Sequence, residues 1–159
     1  MNSQYFSIDR EPIWAALFAL LEQSVGSSYV TMGRHHVQPP QLAPEMQPAL
    51  FLVQARETRM AKPPGTPVRL TLSGFLILYF QAPAPLLEGV GVETVVGATA
   101  LNALLKGIDD ALEPDDVATG KLTLGGLVTH CWIEGDVDMD PGIYTQQGAA
   151  ILPIRILVP

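Results

Sequence analysis

Three aspartates at alternate positions, Asp136, Asp138 and Asp140, are the first candidates for chemistry in this chain. The spacing Asp-x-Asp-x-Asp is how a calcium loop begins, because it can turn several carboxylate oxygens toward one cation. Such a loop also requires glycine at its sixth position and a closing glutamate at its twelfth. Those positions hold Pro141 and Gln147. We therefore predict an exposed acidic strand that runs into a Pro-Gly turn and holds no metal.

Histidine and cysteine side chains are a second set of candidate ligands. His35 and His36 are adjacent, so in an extended segment they point to opposite faces and do not share one metal ion. Adding His130 gives no ligand spacing typical of zinc. Cys131 lies within the apolar stretch "LVTHCWI" and is predicted to be a small buried residue. We predict no enzyme and no cofactor; a small metal-binding enzyme built from these histidines and the aspartates is kept as an alternative.

Length and composition indicate how such residues must be supported. The 159 residues predict one domain, spanning residues 1–159. The chain is 48% hydrophobic and only 16% charged, which favours an oligomer that buries part of its apolar surface. No apolar run is long enough to cross a bilayer, and the first residues lack the features of a signal peptide. We therefore expect no membrane partner and assembly in the cytoplasm.

Charge is divided unevenly along the chain, whose formal net charge is −7. Five basic and two acidic residues lie between positions 34 and 69, whereas eleven acidic and two basic residues lie between positions 88 and 140. This division fits either two ordinary solvated surfaces or two complementary sides for self-assembly. It argues against sequence-specific binding of nucleic acid, which normally requires a dominant basic patch.

Hydrophobic periodicity predicts the elements that position these residues. Helical spacing predicts one helix over residues 9–26 and a second over 93–114, and alternation predicts strands near 28–38, 49–60, 68–81, 127–134 and 149–159. Gly74 is predicted to mark a bulge or bend. Because proline cannot donate to a ladder, Pro153 is predicted to place the last strand at an edge or to mark a bulge in it. The order α-β-β-β-α-β-β predicts an α+β fold in which two helices pack on a mostly antiparallel sheet.

The second and third predicted strands form a long hairpin whose tip is basic. Arg56, Arg59 and Lys62 lie there beside Met60, before the turn-rich stretch "AKPPGTP" at 61–67. A projecting, charged segment of this kind is typical of a contact surface rather than of a core. We predict that these four residues, together with Asp136, Asp138 and Asp140, form interfaces.

The C-terminal third resembles a known family. Residues 125–159 read "GGLVTHCWIEGDVDMDPGIYTQQGAAILPIRILVP", and the helix "GATALNALLKGIDDAL" precedes them. This order, with an acidic turn after one strand and a last strand closing on "PIRILVP", is similar to that of the tail terminator proteins of tailed bacteriophages. The first helix, "REPIWAALFALLE", and the proline-rich segment after it fit the same pattern, so the resemblance covers nearly the whole chain.

The resemblance implies a structural virion protein. Proteins of this family form a homo-hexameric ring on the head-proximal end of the tail tube, stop tube polymerisation and present a surface to the neck. The implied partners are the tail tube protein and a neck or head-completion protein, and DNA passes through the ring without specific binding. The family has no catalytic residues to carry over. Another neck or tail-completion protein of similar fold is the alternative that stays closest to this reading.

Overall fold

The computed structural model describes residues 8–60, 69–82, 92–142 and 146–159, and for residues 92–96 the backbone alone. The predicted turn at 61–67 and the linker at 83–91 lie outside these residues. The elements in chain order are α1 (Glu11–Val25), β1 (Thr31–Gly33), β2 (Ala49–Met60), β3 (Arg69–Gln81), α2 (Val92–Ala111), β4 (His130–Ile133), β5 (Asp138–Asp140) and β6 (Gln147–Val158).

Helix α1 forms where apolar residues recur at helical spacing after a proline in the first turn, a position at which the missing N–H costs nothing. Its buried face consists of Ile13, Trp14, Leu17, Leu21 and Val25. Helix α2 buries Leu101 and Ile108 and exposes the polar side predicted from its sequence. Both helices contribute to one hydrophobic cluster with the sheet, so they cover the same sheet face.

The sheet has the strand order β1-β2-β3-β6-β4, and β5 also pairs with β6. Only β1 and β2 run parallel, so the sheet is mostly antiparallel, as predicted. The α+β class is confirmed. The predicted order of elements is matched with one more strand, since β6 extends past β4 and pairs there with Asp138–Asp140.

The bulge in the β2–β3 hairpin lies on β2, not at Gly74 as predicted. Gln54 is opposite Gly74 and Arg56 is opposite Ser73, which leaves Ala55 as the extra residue. At Gly74, the absence of a side chain is required by packing. A Cβ there would lie 2.5 Å from the carbonyl oxygen of Val53 and 2.9 Å from the Trp14 ring, so glycine lets α1 approach the sheet.

The prediction that Pro153 places β6 at an edge is wrong, and the register between β3 and β6 runs through Pro153 without the alternative bulge. β6 is an interior strand, with β3 on one side and both β4 and β5 on the other. The carbonyl of Pro153 accepts the N–H of Glu134 at 3.1 Å. In a strand, the nitrogen and the carbonyl of one residue point to the same side, so the nitrogen of Pro153, which has no hydrogen, faces the gap between the end of β4 and the start of β5. The ladder tolerates proline there because no strand residue is paired with it on that side.

The two sheet faces are covered differently. The helix-covered face is lined by alternate residues of the strands, among them Leu50, Leu76, Leu152, Ile154 and Ile156. The opposite face carries a smaller cluster, Leu42, Ala49, Phe51, Ile77 and Tyr79, under the proline-rich segment 34–48. That segment covers the end of the sheet where β1 pairs with β2, and the rest of this face is the open face.

Candidate functional site

Register decides which candidate side chains share the open face. In an antiparallel pair, residues directly opposite each other point to the same side of the sheet. One row across β2, β3, β6 and β4 consists of Arg56, Ser73, Arg155 and Trp132. The next row, across β2, β3 and β6, consists of Val53, Phe75 and Pro153.

The aspartates of the predicted acidic turn lie at one margin of this face. Asp138 is opposite Ile151 and Asp140 is opposite Ala149, so both point to the open face, while Asp136 precedes β5 and is exposed. Asp140 Oδ1 accepts the N–H of Gly142 at 2.8 Å, which fixes the turn. Among the described residues, no three His, Cys, Asp or Glu side chains are grouped so that they could hold a metal ion.

The histidines lie toward opposite ends of the sheet. His36 Nε2 is 2.9 Å from the hydroxyl of Tyr79, and the two rings stack. His130 stacks on Trp132, and its Nδ1 accepts the N–H of Leu122 at 3.2 Å. Tyr79 is eight residues along β3 from Thr71, the residue in the row of His130, a distance of roughly 27 Å. The structure therefore does not bring the histidines together.

Cys131 is buried in the main core, as predicted. Burial disfavours the charged thiolate and raises the pKa of this thiol to about 12. The side chain thus packs as a small apolar residue at neutral pH.

The structure divides the predicted hairpin interface between two faces. Arg56 points to the open face, whereas Arg59 lies opposite Leu70 and points to the helix-covered side. Met60 is opposite Arg69, returns to the open face and is 59% exposed. Lys62 lies outside the described residues. Arg56 and Arg59 are three positions apart on a strand and therefore point to opposite faces of the sheet.

Arg59 belongs to an ion cluster that ties the hairpin to α1. Glu57 accepts hydrogen bonds from Arg10, with an Nε to Oε2 distance of 2.6 Å, and from Arg59, with an Nη2 to Oε1 distance of 2.6 Å. The bond from Arg10, and then that from Arg59, lowers the pKa of Glu57 from 4.5 to about 2. Arg59 therefore has a local partner that explains its position.

Three arginines on the open face have no such partner. Arg56, Arg69 and Arg155 form no ion pair with a carboxylate among the described residues. Within the described part of the chain, the side-chain hydrogen bond that these arginines form is from Arg155 Nη1 to Ser73 Oγ, at 3.0 Å. By contrast, Arg10, Arg34, Arg59 and Lys106 are each paired with a carboxylate. The open face thus gathers the arginines whose charge the described residues leave uncompensated.

Apolar side chains lie among these arginines. Phe75 and Ile151 are each 38% exposed, and Val53 and Pro153 are half-buried beside them. We call the region made by Val53, Arg56, Arg69, Phe75 and Arg155 the front surface. An apolar centre with charged margins is the usual composition of a protein interface.

A cluster of acidic side chains lies on the helix-covered side of the sheet, around the end of α2. Asp109 and Asp110 are exposed in the last turn of α2 and Glu113 is exposed just past its end, and we call these three residues the back surface. Lys106 pairs with Asp110 at 2.5 Å, which leaves Asp109 and Glu113 with no ion pair among the described residues. Nearby, Asp115 accepts the N–H groups of Thr123 and Gly125 and so shapes the following turn.

Sequence reasoning missed Arg69 and Arg155 as members of the site. The sequence contains a pattern that could have identified them, because each is a charged residue at an alternate position of an otherwise apolar strand. What the sequence could not supply was the register that brings residues of β2, β3 and β6 to one face.

Within the described residues, no helix is both long and apolar enough to span a membrane. A scan against models of protein families finds no match, and a search among curated proteins finds none either.

Proposed function

We propose that this protein is a tail terminator of a tailed bacteriophage: a structural virion protein that forms a hexameric ring on the head-proximal end of the tail tube. The ring ends tube polymerisation and joins the tail to the neck. The sequence pattern over residues 97–159 supports this proposal through its resemblance to the family. The α+β fold, with two helices on one side of the sheet, is compatible with it.

The observation that carries the proposal is the placement of unlike surfaces on opposite sides of one chain. The front surface is basic and partly apolar, and the back surface is acidic. A subunit with complementary opposite sides suits head-to-tail association, which closes into a ring when the rotation between neighbours permits it. An enzyme has no need for this arrangement, whereas a ring subunit does.

The overall charge suits a channel through which DNA moves. A chain of net charge −7 repels phosphate at long range, so DNA can pass without binding specifically. If the basic front surface is buried between neighbours, the acidic remainder faces DNA and solvent. The tail tube protein and a neck protein are the partners that such a ring would contact.

A neck or tail-completion protein of similar fold is the second candidate, because complementary surfaces would serve any ring of the connector. The two roles differ in the position of the ring in the particle. A metal-binding enzyme has less support, since the described histidines lie toward opposite ends of the sheet.

Deletion of the gene from the virus that encodes this chain tests the proposal. Without its terminator, tube polymerisation is not stopped, so we expect tails of uncontrolled length that do not join heads. Supplying the intact chain in trans should restore uniform, joined tails. Tails of normal length that lack only heads would favour the neck protein instead, and normal particles would overturn both roles.

A further inference from the structure

We propose that the front surface of each copy docks on the back surface of the next copy, with the arginines of the hairpin half against the end of α2. This inference deepens the proposed ring and rests on it. The occupant of the open sheet face is thus a second copy of this chain.

Charge complementarity is the first argument for this occupant. The front surface holds Arg56, Arg69 and Arg155, whose charge no described carboxylate compensates. The back surface holds Asp109, in the last turn of α2, and Glu113, two residues past the end of that helix, and both are exposed. Pairing the two surfaces brings these unlike charges together, which orients the encounter and disfavours other arrangements.

Apolar exposure is the second argument. Phe75, on the front surface, stays 38% exposed in the single chain although it lies on an interior strand of the sheet. The proline-rich segment covers the neighbouring end of the same face, where Phe51 is 1% exposed. A neighbour seated on the front surface would complete this covering and gain roughly 25 cal/mol for each Å² of apolar surface removed from water.

The acidic margin of the open face determines how the neighbouring copy is oriented on it. The exposed Asp138 projects beside β6 near the covered end, whereas Arg56 and Arg69 lie toward the hairpin end. An acidic neighbour is repelled at the first end and attracted at the second. We therefore infer that the end of α2 lies over the hairpin half and away from β5.

Two charge-reversal variants test the contact. The front variant carries Arg56→Glu and Arg69→Glu, and the back variant carries Asp109→Lys and Glu113→Lys. All four side chains are exposed, so neither variant should lose the fold, which circular dichroism and thermal unfolding check. The assay is native mass across a concentration range, first for each protein alone and then for an equimolar mixture.

Each variant alone should lose the ring, because its two surfaces have the same sign. The mixture should recover it, since each front then meets a back of opposite sign, and three copies of each variant alternate around a six-membered ring. Each reversal changes the net charge by two, so the front variant has −11 and the back variant −3. If assembly were governed only by repulsion between net charges, the less negative back variant would assemble more readily than the wild type. We expect the opposite.

A matched control carries Glu22→Lys and Glu45→Lys, two exposed acids outside both surfaces. It has the same net charge as the back variant and should assemble like the wild type. The contact is refuted if both variants form rings, if the mixture does not recover them, or if only the front variant fails, which would indicate front-to-front association.

Failure of the contact and failure of the proposed function give different results. If wild-type rings form and the variants form them too, the contact is wrong and the ring stands. If the variants behave as expected but deletion leaves tails normal, the terminator role is wrong and the contact stands. A wild type that is monomeric at every concentration and absent from particles overturns both.

Discussion

Glu57 accepts hydrogen bonds from two arginines that come from different elements, Arg10 before α1 and Arg59 on β2. Because these bonds favour the ionised carboxylate, they lower its pKa in the folded protein from 4.5 to about 2. The contribution of ionised Glu57 to the stability of the fold is fully present above the ordinary pKa of a glutamate and is lost as pH falls toward 2. Glu57 thus makes the attachment of the hairpin to α1 sensitive to acid.

We predict that Glu57→Gln flattens the loss of stability between pH 4.5 and about 2. The reason is that glutamine binds no proton in this range, so this contribution to the pH slope disappears. Urea unfolding at several pH values measures the slope. Glu22→Gln, at an exposed position of α1, is the control and should keep the wild-type slope. Equal slopes for Glu57→Gln and the wild type would refute the role of the ion cluster.

The acidic turn yields a second prediction at this scale. Replacing Asp136, Asp138 and Asp140 by asparagine should leave the melting temperature nearly unchanged, with or without a chelator. Asparagine keeps the side-chain oxygen that accepts the N–H of Gly142, and removing three neighbouring charges relieves only modest repulsion. Thermal unfolding with calcium and with chelator measures this. A large loss of wild-type stability on adding chelator would show that the turn holds a metal ion.

At the scale of elements, α1 approaches the sheet closely at Gly74. A Cβ at this position meets the Val53 carbonyl oxygen and the Trp14 ring, both within 3.0 Å, and backbone cannot yield as a flexible side chain would. Gly107 lies inside α2, where an added Cβ has ordinary contact with Val25 at 3.5 Å. The two glycines therefore differ in what surrounds them although both lie within regular elements.

We predict opposite effects for alanine at these two positions. Gly74→Ala should lower the free energy of unfolding by about 1–3 kcal/mol, because overpacking displaces α1 or β2. Gly107→Ala should raise it by up to about 1 kcal/mol, because alanine favours the helix. Urea denaturation measures both changes. A neutral Gly74→Ala would show that Trp14 can move away from β3 at no cost.

The elements themselves could largely be predicted from the sequence. Periods of 3.6 and 2 predicted both helices and the long hairpin, since burial of one side imposes those periods. The predictions failed only at single residues and at one short strand. Proline normally marks an edge, but Pro153 is tolerated inside the sheet because its side without a donor faces the gap between β4 and β5. A three-residue strand such as β5 is too short to show a period.

At the scale of the whole molecule, the front surface depends on contacts that are remote in sequence. Arg155 and the Ser73 hydroxyl it bonds are 82 positions apart, and Arg56 reaches the same row through the bulge at Ala55. A shift of one residue in either pairing would move these side chains to the other face. The sequence could therefore predict a division of charge along the chain, but not its assembly into opposite surfaces.

Locating the chain in phage particles is the sharpest test of the proposed terminator role. Electron-microscopic reconstruction of the junction between tail and head should show a six-fold ring of this fold on the last layer of the tube. The front surface of each copy should face α2 of the next, and the acidic turn should lie outside that contact. Particles with joined heads and tails that contain no copy of the chain at this junction would contradict the account.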